Sequence, residues 1–182
     1  LIDTGLVEVT IVPYETEQFM PQGNPKYEKL AKYDIRFKEE PSEKVKKLPY
    51  LWIRHQWPPK SEPPRGAKWV IMQPWEFSTL PRRFVEFFQY ADELWVPSNY
   101  TRQAFLNSGL PFNKVQVVPN GIDPTLFQPN GKKYPLPTNK KLKFLFVGGT
   151  TYRKGFDILL ESFVSAFTSR DDVVLVVKDM GT

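Results

Sequence analysis

Cysteine is absent from the 182 residues, which excludes a disulfide framework and any thiolate metal site. His55 is the single histidine, so a multi-histidine metal centre cannot be built from this chain. No apolar run approaches the ~18–20 residues of a membrane span, and no signal peptide is visible. A reducing, cytoplasmic compartment fits these absences best. Clustered charge is scarce as well. The net charge of +5 is matched by Lys132, Lys133, Lys140, Lys141 and Lys143, which lie in one acid-free stretch, and the remaining charges balance. A general basic face for nucleic acid is therefore unsupported. That stretch reads as a solvated linker, with peripheral attraction to anionic lipid as the lesser alternative.

Large side chains and breakers, by contrast, are plentiful. The chain is 41% hydrophobic and 15% aromatic, enough for a core, and it carries 18 prolines that punctuate it. Leu6–Pro13 alternates with β-branched residues and predicts a strand. Asn24–Tyr33 predicts a short helix, with Asn24 as N-cap and Pro25 at its first position. Tyr33–Phe37 is a second candidate strand. Leu48–Trp57 predicts another, followed by a proline-rich loop, and Lys68–Gln73 the next, ending at Pro74-Trp75-Glu76. A helix from Pro81 to Tyr90 turns Phe84, Phe87 and Phe88 inward. A short strand, Leu94–Val96, follows. Ser98 caps a helix over Tyr100–Asn107 that Gly109 stops, and Val115–Val118 is again a strand. This strand–helix alternation predicts parallel sheets with helices on both faces.

Pro119–Lys141 breaks the rhythm and reads as an interdomain linker. A second sheet then opens with Lys143–Val147, predicted to be a buried strand, and continues at Asp172–Lys178. Between them the period becomes helical: Phe156, Leu159, Leu160, Phe163 and Phe167 share a face. The connecting loop, Gly148-Gly149-Thr150-Thr151-Tyr152-Arg153-Lys154, combines three features. Its glycines let backbone approach a ligand, a helix N-terminus follows, and Arg153 and Lys154 add full charges. That is the chemistry of a diphosphate site at the C-terminal end of a strand. The bland alternative is a tight strand–helix turn with solvated cations. The spacing is neither G-x-G-x-x-G nor a Walker loop.

Four segments together resemble the retaining group-1 glycosyltransferases of family 4, which have the GT-B fold. They are Ala91–Ser98 with Thr101–Phe105 and Ser108-Gly109; Val115–Asp123 with Phe127 and Pro129; Phe144–Gly155; and Pro74-Trp75-Glu76. Their order and spacing carry the resemblance, which runs from about Trp69 to Val177. It implies Rossmann-like α/β sheets arranged as an acceptor-side domain at 1–128, a linker at 129–141, and the first βαβ of a donor domain at 142–182. The chain reads as a fragment of a hexosyltransferase. The resemblance further implies a nucleotide-sugar donor, a glycan or lipid-linked acceptor, transfer with retention, a role in polysaccharide biosynthesis, and neither metal nor other cofactor. Gly148, Gly149, Arg153 and Lys154 would hold the donor diphosphate. The family's glutamate pair is expected beyond Thr182, so the chain alone is expected to be inactive. Gly149 stands where members usually carry arginine, and Arg153 is placed to supply that charge from the other end of the loop. The rival reading is a non-catalytic GT-B-like module that binds nucleotide-sugar or glycan.

Two weaker candidates lie on the acceptor side. His55 sits near a strand end, although a lone histidine is more often structural. Glu76 follows a strand and either hydrogen-bonds an acceptor hydroxyl or is a surface carboxylate. Trp52, Trp57 and Trp75 fall near strand ends, where they either stack on a sugar ring or pack in the core.

Overall fold

The computed structural model describes residues 5–14, 28–36, 50–59, 62 and 66–179. The chain divides into two compact units, Leu1–Ile122 and Asp123–Thr182, a division that falls inside the proline-rich stretch.

The first unit holds a four-stranded parallel sheet in the order β1-β2-β3-β4: β1 Leu51–Arg54, β2 Lys68–Met72, β3 Glu93–Val96 and β4 Val115–Val117. Helix α1, Arg82–Phe88, connects β2 to β3, and α2, Asn99–Asn107, connects β3 to β4. Each strand lies beside its predecessor with no reversal, so successive right-handed crossovers deliver their helices to the same side. The core confirms this. Trp69, Ile71, Leu94, Val96 and Val115 alternate along their strands onto one face and form a single cluster with Phe84 and Phe88 of α1 and Phe105 of α2. The expected cover of helices on both faces is thus corrected among the described residues: α1 and α2 share one face.

Local chemistry explains where these helices begin and end. The Ser98 side chain accepts the Thr101 N–H, satisfying one orphan donor of α2. Gly109, at φ +90°, takes a backbone conformation that L side chains rarely adopt and ends that helix. On β2, the Asp92 carboxylate accepts the Trp69 N–H at 2.7 Å while the Asp92 N–H donates to Trp69 O at 2.8 Å. This pair continues the ladder from the turn before β3.

The amino-terminal expectations fare differently. Instead of a strand over Leu6–Pro13, the described part holds an isolated parallel bridge, Ile11 to Asp34. Asp34 provides the bridge for the second candidate strand too, and Phe37 lies outside the described residues. Asn24 and Pro25 also lie outside them, while Ala31–Tyr33 is a 3-10 turn. Alternation of side chains does not reveal whether a neighbouring strand exists to pair with.

Asp34 is buried and forked onto Arg36, with Nη2 at 2.6 Å from Oδ2 and Nε at 2.9 Å from Oδ1. Those side-chain hydrogen bonds hold its carboxyl below the usual carboxylate range, against the opposing effect of burial. A depressed folded-state pKa stabilises the fold above the unfolded value, about pH 4, and that stability is lost as pH falls through the folded value. Asp34→Asn is therefore expected to lower the urea midpoint at pH 7. The gap from wild type should narrow as denaturation is repeated toward pH 3; a constant gap would show that the charge is not responsible.

In the second unit β5, Leu142–Val147, pairs parallel with β6, Val173–Lys178, and α3, Phe156–Ala166, connects them. Phe156, Phe163 and Phe167 pack on Phe146 and Phe144, with ring centroids 5.2–6.0 Å apart. The helical face read from the sequence is recovered except at Leu160, which is 45% exposed. The strand expected to be buried is not: Leu145 and Val147 point away from α3 and are exposed. Among the described residues of this unit, one helix covers one side of a two-stranded sheet and no element of the unit covers the other.

Candidate functional site

β5 ends at Val147, and the Gly148 N–H still reaches across to Lys178 O at 3.1 Å. Gly148 then leaves the ladder at φ +152°. A Cβ there would meet the Phe146 ring at ordinary contact distance, so what demands glycine is backbone conformation rather than space. Tyr152–Lys154 forms a single 3-10 turn, closed by Lys154 N–H to Thr151 O and Gly155 N–H to Tyr152 O. Gly155, at φ +67° and ψ +27°, caps α3 in the left-handed region with no side-chain capping hydrogen bond at the helix N-terminus. The sequence did not disclose this turn, although Gly155 was its signal.

The loop brings Gly148, Gly149, Arg153 and Lys154 into one connection between a strand's C-terminal end and an eleven-residue helix. Arg153 and Lys154 are exposed, and Gly149 is half-buried. Asp157 is the acidic residue in the first turn of α3, where it meets the same dipole that would attract an anion. The arrangement therefore depends on its two cations to set the local sign.

The other candidate group belongs to the first unit. His55 follows β1 directly and is exposed, and Glu76 stands four residues beyond β2 and is also exposed. The loop carrying Glu76 is pinned by α2. Thr101 Oγ1 donates to Trp75 O at 3.2 Å, Tyr100 Oη to Glu76 O at 3.4 Å, and Ser108 Oγ accepts the Leu80 N–H at 2.8 Å. Trp75 Nε1 donates to Thr79 O at 2.9 Å, fixing its ring. Trp57 reaches the same place from β1. Its ring lies 6.1 Å from Trp75 and 5.2 Å from Phe84.

Sequence reasoning missed two polar residues here. Arg54 lies over the Trp69 and Trp52 rings at 5.1 and 5.8 Å and donates to Glu62 O. Burial lowers its pKa from the ordinary value, partly offset by Glu62. Gln73 is 4% exposed, and its Oε1 has no hydrogen-bond partner. A polar residue at an inward phase of a strand was the available signal for both. Arg54, Gln56, Pro59 and Ile71 line a shallow recess beside them. Among the described residues no group of three metal-ligating side chains occurs, and no helix is long and apolar enough to cross a membrane.

The first unit is a parallel α/β sheet with candidate residues at its C-terminal edge and the second a parallel βαβ unit, a Rossmann-like arrangement consistent with a fragment of the GT-B kind. Residues 41–126 match the family model described as Glycosyltransferase Family 4. The match supports a family 4-like domain in this part of the chain and glycosyl transfer in general as its chemistry. No curated protein and no solved structure matches the chain.

Proposed function

We propose that the protein containing this chain is a cytoplasmic hexosyltransferase, peripheral at the membrane where its acceptor is lipid-linked. It transfers a sugar from a nucleotide-sugar to a glycan or lipid-linked acceptor with retention, in polysaccharide biosynthesis. The observation that carries this reading is the Gly148–Gly155 loop: a strand end, glycine backbone, two cations and a helix N-terminus in one connection. Cleaving the sugar–phosphate bond leaves negative charge on a nucleoside diphosphate. Fixed cations and helix N–H groups aimed at that charge stabilise it as it develops, in the place a metal occupies in other enzymes. Backbone at Gly148 and Gly149 lines the donor side. Lys154 carries one charge, and Arg153 replaces the one missing at Gly149.

One observation favours the rival reading of a non-catalytic nucleotide-sugar or glycan-binding module: the glycine at 149 itself, which removes a cation from the loop.

Calorimetric titration with UDP-glucose and GDP-mannose, set beside glucose and mannose, tests the proposal on residues of this chain. Saturable binding of a nucleotide-sugar, with none of the free sugar, is expected. Arg153→Ala should weaken that binding by roughly tenfold, the value of a charge-assisted hydrogen bond at an exposed site. An unchanged affinity would remove Arg153 from the site. Failure of the wild-type protein to bind either nucleotide-sugar would overturn the reading.

A further inference from the structure

Asparagine is followed by glycine twice, at Asn120-Gly121 and Asn130-Gly131, and a proline precedes each pair. Glycine matters at the second position because no Cβ hinders its nitrogen, which can then reach the side-chain amide before it. Asparagine is thermally labile for this reason. Two pairs with the same local sequence share the same intrinsic reactivity. Their surroundings separate them.

Asn130-Gly131 is held in a turn. The Gly131 N–H donates to Gln128 O at 3.0 Å, and a Cβ on Gly131 would lie 3.1 Å from that same oxygen. Its nitrogen must give up that hydrogen bond before it can act. Asn120-Gly121 has no such restraint. The last ladder bond of β4 runs from the Val118 N–H to Val96 O, and the chain from there to Asp123 is neither strand nor helix. Asn120 and Gly121 are both exposed, and nothing lies within 4 Å of a Cβ built on Gly121. Among the described residues the Gly121 N–H has no hydrogen-bond partner. The other asparagines lack a following glycine, and Asn107 Oδ1 is in addition occupied by Gln103 Nε2 at 2.7 Å.

We propose that Asn120 is a site of spontaneous modification, converting to isoaspartate and aspartate, while the turn at Gly131 protects Asn130. The Gly121 nitrogen loses its proton to solvent base and bonds to Asn120 Cγ. The Cγ–Nδ2 bond breaks, and Nδ2 takes up a proton and leaves as ammonia. Water then opens the cyclic imide. Attack at Cγ gives aspartate with the chain unchanged. Attack at the Asn120 backbone carbonyl carbon frees an α-carboxylate and routes the chain through the side chain, which is isoaspartate. In total one water is consumed and one ammonia released. Either product adds a negative charge just before Ile122, where the first unit ends. Isoaspartate also lengthens the main chain there by one methylene. The site is independent of the transferase reading.

Incubation of the whole chain in mildly alkaline buffer, with tryptic mapping over time, tests it. Trypsin releases both pairs on one peptide beginning at Val115, so fragment ions compare them within a single sample. Isoaspartate at 120, identified with an isoaspartate-specific carboxyl methyltransferase, should form about three- to tenfold faster than at 130, the rate equivalent of one amide hydrogen bond. In concentrated urea the two rates should converge, because the local sequences match and only the fold distinguishes them. Gly121→Ala, placed in open space at an ordinary φ, should suppress conversion at 120 and leave 130 unchanged. Equal rates in the folded chain, faster conversion at 130, or a difference that survives in urea would each overturn the proposal.

Discussion

Phe88→Ala is expected to destabilise the first unit by about 3–5 kcal/mol, the usual cost of emptying a buried aromatic site. Phe88 has no exposed surface, stacks on Phe105 with centroids 5.4 Å apart and planes 10° from parallel, and touches Phe84 at 6.4 Å. It therefore joins α1 to α2 over the same sheet face. Both partners are large, rigid and themselves buried, so collapse into the cavity is limited and the cost belongs in the upper part of the range. Typical domains have only about 5–15 kcal/mol in hand, and the loss should appear as a fall of more than about 1 M in the urea midpoint. Phe88→Leu, which keeps most of the volume, should cost about half as much or less. A loss under about 1 kcal/mol for Phe88→Ala would mean that this cluster is not the core. Because Phe84 also packs against Trp57 and Trp75, the same destabilisation should be visible in tryptophan emission.

The second large effect belongs to Lys154. An ammonium hydrogen-bonded to a diphosphate is worth about 1.5–3 kcal/mol, so Lys154→Ala should weaken nucleotide-sugar binding by roughly 10- to 150-fold. Lys154 is exposed, and screening places the expectation toward the lower end at physiological ionic strength. The wild-type affinity should consequently fall with added salt more steeply than that of the variant. Lys154→Arg restores charge but replaces a compact point donor with a planar fork, and partial recovery is the expected result. Far-UV spectra should remain unchanged, since Lys154 sits in a one-turn 3-10 segment with its side chain outside any packed surface.

Much of the fold was legible because its signals are local. Ser98 fits one cap, Gly109 and Gly155 mark positive φ, and Phe156, Phe163 and Phe167 mark one helical face. What failed depends on partners distant in sequence. Leu6–Pro13 alternates like a strand, yet only Ile11 finds a bridge. Leu145 and Val147 are as apolar as a buried strand requires, but within their own unit the described residues bring nothing over their side of the sheet. Helix placement was misjudged because strand–helix alternation carries no information on strand order, and it is the order that assigns the face. At the candidate sites, Gly148–Lys154 announces itself through glycine and charge within seven residues. Trp57 and Trp75 stand out singly, but their contact does not, because they come together only through the parallel pairing of β1 with β2 and the pinning of the following loop by Thr101.

Side-by-side calorimetric titration of UDP and GDP into the wild-type protein and Lys154→Ala tests the diphosphate site most directly. Saturable binding of at least one nucleoside diphosphate by the wild type is expected, with a loss of at least tenfold in the variant. Equal affinity for both proteins would place the diphosphate elsewhere and remove the Gly148–Lys154 loop as its site.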